Sequence, residues 1–262
     1  MSVQNEWDNG VDQEGTWLYR LGGISAVVLV VGYFVSFPIY FWVGDQPTSG
    51  VGAQLAYFAD HASGWWAITF LMVFTDLLLV PILFAIYLAL KHINKGLMLV
   101  ALSFTAFLFV ILDLAVTWTA YPSLITAGVN YGAATTATQR AAAVAAAAYP
   151  STLVESPIPA TYAILIPSLG ILFAGLVMRK GVFSRATSHL ALATGLTGIL
   201  FMGSVFIDGL AVLRYVNALL AMFFYLLAGL RLRRLGRSRQ GLAGLRSIRR
   251  ASGENDIAEP KR

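Results

Sequence analysis

Six long apolar runs, broken by polar and charged residues, constrain this chain more than any other feature. A bilayer core of about 30 Å needs about 20 apolar helical residues to cross it, and the sequence supplies such stretches repeatedly. They run from Leu18 to Val43, Trp65 to Leu90, Gly96 to Tyr121, Ser156 to Met178, Ser188 to Leu210 and Leu213 to Leu230. Of the 262 residues 58% are hydrophobic and 12% charged, more apolar surface than a water-soluble core of this size can hide. The expected fold is an all-α integral membrane protein with six transmembrane helices in a bundle. The domain layout expected is a polar acidic N-terminus over 1–17, a six-helix domain over 18–232 and a basic, disordered tail over 233–262. Outer loops fall at 44–64 and 122–155, with a short helical candidate at Gln54 to His61 and an alanine-rich stretch of good helix propensity at Tyr131 to Pro150.

Lys and Arg accumulate in short cytoplasmic loops and so report orientation. Lys91 and Lys95 mark the second connection, and Arg179, Lys180 and Arg185 the fourth. The first loop has no basic residue, the third only Arg140 and the fifth only Arg214, while arginines crowd the chain after Gly229. The expected topology is therefore N-in/C-in, with both termini cytoplasmic. Trp42, Trp65, Trp66, Trp118 and Tyr121 fall near the expected outer boundary, as an aromatic belt does. The acidic start, with Glu6, Asp8, Asp12 and Glu14 before the first arginine, lacks the basic segment of a signal peptide, so the first hydrophobic run is expected to stay.

Much chemistry is excluded. The chain has no cysteine, which removes disulfides, thiolate catalysis and Cys-based zinc or iron–sulfur sites. His61, His92 and His189 fall in an outer loop, an inner loop and the inner end of the fifth run, too scattered to share a haem or metal. No phosphate loop, HExxH helix or GxSxG elbow occurs, and no lysine lies within a run. No cofactor, metal or nucleic acid is expected. The net charge of +5 belongs to topology, because the positive residues cluster beside the membrane.

Helices that pack in lipid turn small and polar residues toward one another. Such stripes include Ser25, Gly32 and Ser36 in the first run, Ser168 and Gly175 in the fourth, Thr194 and Thr197 in the fifth, and Asn217 and Tyr225 in the sixth. Charged positions stand apart, because a carboxylate at the bilayer centre costs at least about 2.5 kcal/mol and commonly marks a pathway or relay. Asp76 lies about 16 Å from the Trp65–Trp66 boundary, near the midplane. Pro81 lacks the amide that would bond the Leu77 carbonyl, leaving a free acceptor beside it. Asp113 lies in the outer part of the third run. The candidate intramembrane polar site is Asp76, Asp113, Thr117 and Tyr87. Asp208 and Arg214 are expected to form a structural ion pair across the tight fifth turn, and Glu155 to cap the fourth run. Arg231, Arg233, Arg234 and Arg237 are expected to contact anionic lipid headgroups at the cytoplasmic face, at roughly 1 kcal/mol each. An inverted repeat fits poorly, since Asp76 is central and Asp208 is near an edge.

From Leu18 to about Arg234 the pattern resembles the prokaryotic six-helix membrane family catalogued as domain of unknown function 4386. The resemblance is carried by Leu88-Ala-Leu-Lys-His-Ile-Asn-Lys-Gly-Leu-Met-Leu and by Arg179-Lys-Gly-Val-Phe-Ser-Arg-Ala-Thr-Ser-His-Leu, the two basic turns. It implies a prokaryotic plasma (inner) membrane protein and lends no activity or site residues. Three functions remain open. The chain could bind or pass a small solute, ion or lipid through the bundle, without catalysis. It could be a structural or accessory subunit, with a membrane-protein partner or a second copy and a partner-binding tail. It could be an intramembrane lipid-modifying enzyme using Asp76 and Asp113.

Overall fold

The computed structural model describes residues 15–47 and 50–251, with side chains as far as Arg237 apart from Ala160. These residues form helices, with no strand among them. In chain order they are α1 (Thr16–Val43), α2 (Val51–Asp60), α3 (Ala62–Leu90), α4 (Lys95–Ala133), α5 (Ala137–Glu155), α6 (Pro157–Met178), α7 (Arg185–Phe201) and α8 (Leu213–Ala251). Among the described residues six stretches are long and apolar enough to cross a membrane: α1, α3, α4, α6, α7 with its extension to Val205, and Asp208–Arg237, which holds the first part of α8. Their outward residues are large and apolar, with Phe41 86% and Ile111 62% exposed, as lipid-facing surfaces require.

Local chemistry explains the helix starts. The Asn94 side chain accepts from the Leu97 amide at 3.0 Å and opens α4. Thr136 and Gln139 form a reciprocal capping box that opens α5, and the Ser184 hydroxyl accepts from the Thr187 amide at 3.1 Å to open α7. At α6 the structure corrects the expected cap. Ser156, not Glu155, accepts from the Ile158 amide, at 3.3 Å, and Pro157 fills the first helical position, where no amide is needed. Glu155 instead ends α5 and accepts from the Ser151 hydroxyl at 3.4 Å. Gly44, at φ 70°, lets the chain leave α1 in a left-handed conformation.

Two helices outrun their expected ends. Helix α4 continues past Tyr121 to Ala133, and α5 returns along this extension with α2 packed beside them, so the alanine-rich stretch forms part of a helical cap. A buried bond from the Ser151 hydroxyl to Gln54 Oε1, at 2.6 Å, joins α5 to α2. Tyr57 donates to the Gly44 carbonyl and accepts from the Trp65 indole, both at 3.0 Å. Burial, followed by the Asp45 charge, holds the Tyr57 phenol above its ordinary value, with the Trp65 bond opposing them. Helix α8 runs on as one helix to Ala251, across part of the stretch read as a disordered basic tail. The expected disordered end at Gly253 to Arg262 lies outside the described residues.

Helix α1 packs between α3 and α8, α7 packs between α6 and α8, and α6 packs on the first half of α4. The buried apolar residues fall into two clusters. One, around Ile82, Leu83, Met98, Ala174 and Phe224, fills the end away from the cap. The other, around Leu55, Phe58, Trp65, Ile68 and Leu124, lies beneath the cap.

Polar residues tie α6, α7 and α8 together. Asn217 donates to the Thr194 carbonyl at 2.6 Å, the Thr197 hydroxyl at 3.2 Å and the Ser168 hydroxyl at 3.3 Å. Gly198 makes this node possible: a Cβ there would stand 2.5 Å from Ser168 Cβ and 3.0 Å from the Asn217 amide nitrogen. Ser168 Cβ is fixed by its own helix and cannot swing aside. Gly198→Ala should therefore push α6 and α7 apart and destabilise the protein by about 1–3 kcal/mol, read as a lower thermal midpoint in detergent. The same change at Gly209, with open space around it, should leave the midpoint nearly unchanged.

Candidate functional site

Asp76 lies midway along α3, between Met72 of the cap-side cluster and Leu79 of the other. Asp113 follows a widened, π-helical stretch of α4 at Ser103–Phe109. An extra residue in a helical turn rotates everything after it, so this widening sets which way Asp113 points. The two carboxyl groups come close enough to influence each other, and they share a hydrogen-bond donor. Both side chains are enclosed, at 4% and 5% exposure.

One donor serves them both. The Trp118 indole nitrogen donates to Asp76 Oδ2 at 2.8 Å and to Asp113 Oδ2 at 3.0 Å. Residues five apart in a regular helix do not face each other. Trp118 reaches Asp113 because α4 is interrupted at Val116, where φ is −109° and ψ is −66°. Ionised carboxylates carry only acceptors, so a bond between two carboxyl groups requires a proton on one of them. A direct bond between Asp76 and Asp113 would therefore need one proton, shared by the pair.

Several hydroxyl groups lie in the same region of the bundle. Thr117 and Tyr162 are joined by a short hydrogen bond between α4 and α6, and Tyr162 lies in a second π-helical stretch, Thr161–Leu165. Pro167 follows it and cannot donate to the Ala163 carbonyl, which loosens the helix at this point. Tyr33 on α1 packs against both apolar clusters, and it interacts electrostatically with Asp76, Tyr225, Asp113 and Tyr40. Tyr225, buried on α8, likewise interacts with Asp76, and Tyr40 with both aspartates. Five of the membrane-length helices thus contribute to one polar centre at the seam between the clusters.

The structure brings together only some of the residues singled out in the sequence. Asp76 and Asp113 come together under Trp118, and Thr117, one residue before it, bonds Tyr162 of α6. Tyr87 stands apart, because it lies three helical turns beyond Asp76, about 16 Å along α3, half-buried against the other cluster. The expected Asp208–Arg214 ion pair is absent among the described residues. Asp208 begins a 3-10 stretch, Asp208–Val212, whose rise of about 2.0 Å per residue sets the two positions roughly 10 Å apart along the axis. Arg214 instead donates to the Tyr215 hydroxyl, with its guanidinium 4.5 Å from that ring's centroid. Trp118, read as a belt residue, is the shared donor of the site.

The arginines of α8 also divide. Arg231 Nε donates to the Val182 carbonyl at 2.7 Å and fixes α8 to the α6–α7 turn. Arg233 and Arg237 line a cleft of about 200 Å³ with Arg20 and Ile24 of α1. Arg234 is exposed and points elsewhere.

No protein-family model matches the chain, and neither curated proteins nor solved structures give a match. The site therefore stands on its own geometry. Trp118→Phe removes the common donor and leaves two buried carboxyl groups short of a partner. It should destabilise the protein by about 1–3 kcal/mol in thermal or denaturant unfolding. Trp66→Phe, on a half-buried ring that stacks on Phe70 and whose indole N–H has no hydrogen-bond partner among the described residues, should cost less than about 1 kcal/mol.

Proposed function

We propose that this chain is a multi-pass protein of a prokaryotic plasma membrane, with both ends cytoplasmic. In this reading its helix bundle binds a small cation or a proton at Asp76 and Asp113 in the passage of a small solute or ion. The observation that carries the reading is the meeting of two enclosed carboxyl groups under one shared indole donor. A carboxyl pair holding one proton has a net charge of −1, and so does a pair of carboxylates holding one monovalent cation. Exchanging one for the other leaves the buried charge unchanged, which avoids the largest cost of moving charge in an apolar interior. Carboxylate oxygens of this kind suit hard cations. The orientation rests on the basic turns at Lys91–Lys95 and Arg179–Arg185. The family resemblance of those turns agrees with a prokaryotic membrane.

A second reading, an accessory subunit in which the pair only latches α3 to α4, is favoured by how completely Trp118 satisfies both carboxyl groups. A lipid-modifying enzyme has less support, because the two side chains are almost wholly enclosed.

Asp76→Asn distinguishes the first two. The amide oxygen can still accept from Trp118 and the amide NH₂ can donate to Asp113, so the fold should hold to within about 1 kcal/mol. The exchangeable proton is gone. Adding sodium or potassium to purified wild-type protein in weakly buffered detergent should release about one proton per chain, seen with a pH-indicator dye, and Asp76→Asn should release none. Release from neither protein, with Asp76→Ala destabilised by about 2–4 kcal/mol, would support the latch.

A further inference from the structure

The cleft at the arginine end of the molecule presents three cations, with no acidic side chain among the described residues that line it. Arg20 comes from α1, Arg233 and Arg237 from α8, and none of the three takes part in an ion pair among the described residues. Arg233 and Arg237 are four residues apart on one helix face, where like charges repel. Proximity is nevertheless built in by reciprocal packing. A Cβ on Gly23 would stand 2.5 Å from Arg233 Cγ, and a Cβ on Gly236 would stand 2.5 Å from Arg20 Cγ. Each arginine thus lays its stem over a bare glycine of the opposite helix, which fixes where both guanidiniums emerge. Their planar forks match phosphate oxygens in bidentate fashion.

Below the cleft the surface changes character. Ile24 forms its apolar wall, and Val28, Val31 and Val35 continue along the same face of α1, at 37–54% exposure. Trp17, 64% exposed, stands on the other side of Arg20, where an interfacial ring belongs. A charged head group above an apolar track is the outline of a lipid, not of a free anion.

We propose that Arg20, Arg233 and Arg237 bind the phosphate of an anionic membrane lipid, whose acyl chain lies along Ile24, Val28 and Val31. This site is discrete, and it differs from a diffuse attraction of the basic helix to the membrane surface. It uses Arg20, which lies more than two hundred residues from its partners in sequence, and it is independent of the aspartate pair.

The test uses the full chain in nanodiscs containing phosphatidylglycerol and phosphatidylcholine, with retained lipid counted by native mass spectrometry. Wild type should retain phosphatidylglycerol in preference to phosphatidylcholine. Arg20→Gln with Arg233→Gln should lower that retention at least about tenfold. Arg179→Gln, an exposed charge on the α6–α7 turn, should not change it. Arg237→Gln alone, at an exposed position, gives a smaller loss in the same direction should the double variant fold poorly. Millimolar inorganic phosphate should not raise the wild-type thermal midpoint, whereas phosphatidylglycerol should. Equal loss in Arg179→Gln, no preference over phosphatidylcholine, or stabilisation by inorganic phosphate without any by lipid would each overturn the proposal.

Discussion

Two carboxyl groups enclosed among apolar helices must satisfy each other or lose the fold, and much of this structure is arranged around that requirement. Left ionised and apart, Asp76 and Asp113 would each impose a desolvation penalty of several kcal/mol. Placed together, they can share one proton and gain a bond. The Trp118 N–H then reaches an oxygen of each at 2.8 and 3.0 Å, so a single side chain fixes α3 against the second half of α4. The irregularities of α4 follow from that geometry. Its π-helical stretch turns Asp113 inward, and its interruption at Val116 brings round an indole that a regular helix would aim elsewhere.

The helices themselves were legible in the sequence because their cause is local. Apolar runs of membrane length, bounded by Gly44, Asn94, Ser156 and Ser184, marked the membrane-length helices to within a few residues at most ends. The end of α4 was not legible, since Pro122 and Gly128 weaken a helix just past Tyr121, and it is packing against α2 and α5 that carries the helix on to Ala133. The importance of Asp76 was legible from its depth. Its partner was not: whether Asp113 faces it depends on a helical irregularity that leaves no clear mark in Ser103–Phe109. Trp118 resembled an interfacial tryptophan in every property a sequence carries. Asp208 and Arg214 show the opposite error, where opposite charges close in sequence suggested a pair that the 3-10 stretch between them keeps apart.

Close approach has a second role at the other end of the molecule. Gly23 and Gly236 let α1 and α8 come near enough for each to support an arginine of the other, and Gly198 of α7 leaves room for Ser168 of α6 and Asn217 of α8 to meet. In lipid there is little hydrophobic gain from bringing helices together, so small residues and buried hydrogen bonds supply the specificity. Positions that look interchangeable in an apolar sequence are here the ones that set helix separation, and with it the places where charge can gather.

The central claim is that Asp76 and Asp113 share a proton beneath Trp118. Infrared difference spectroscopy of the purified protein in H₂O and D₂O tests it most directly. At neutral pH the wild type should show a protonated-carboxyl C=O band that shifts with deuterium and disappears in both Asp76→Asn and Asp113→Asn. A wild-type spectrum with only ionised carboxylate bands, or a protonated band that survives both substitutions, would contradict it.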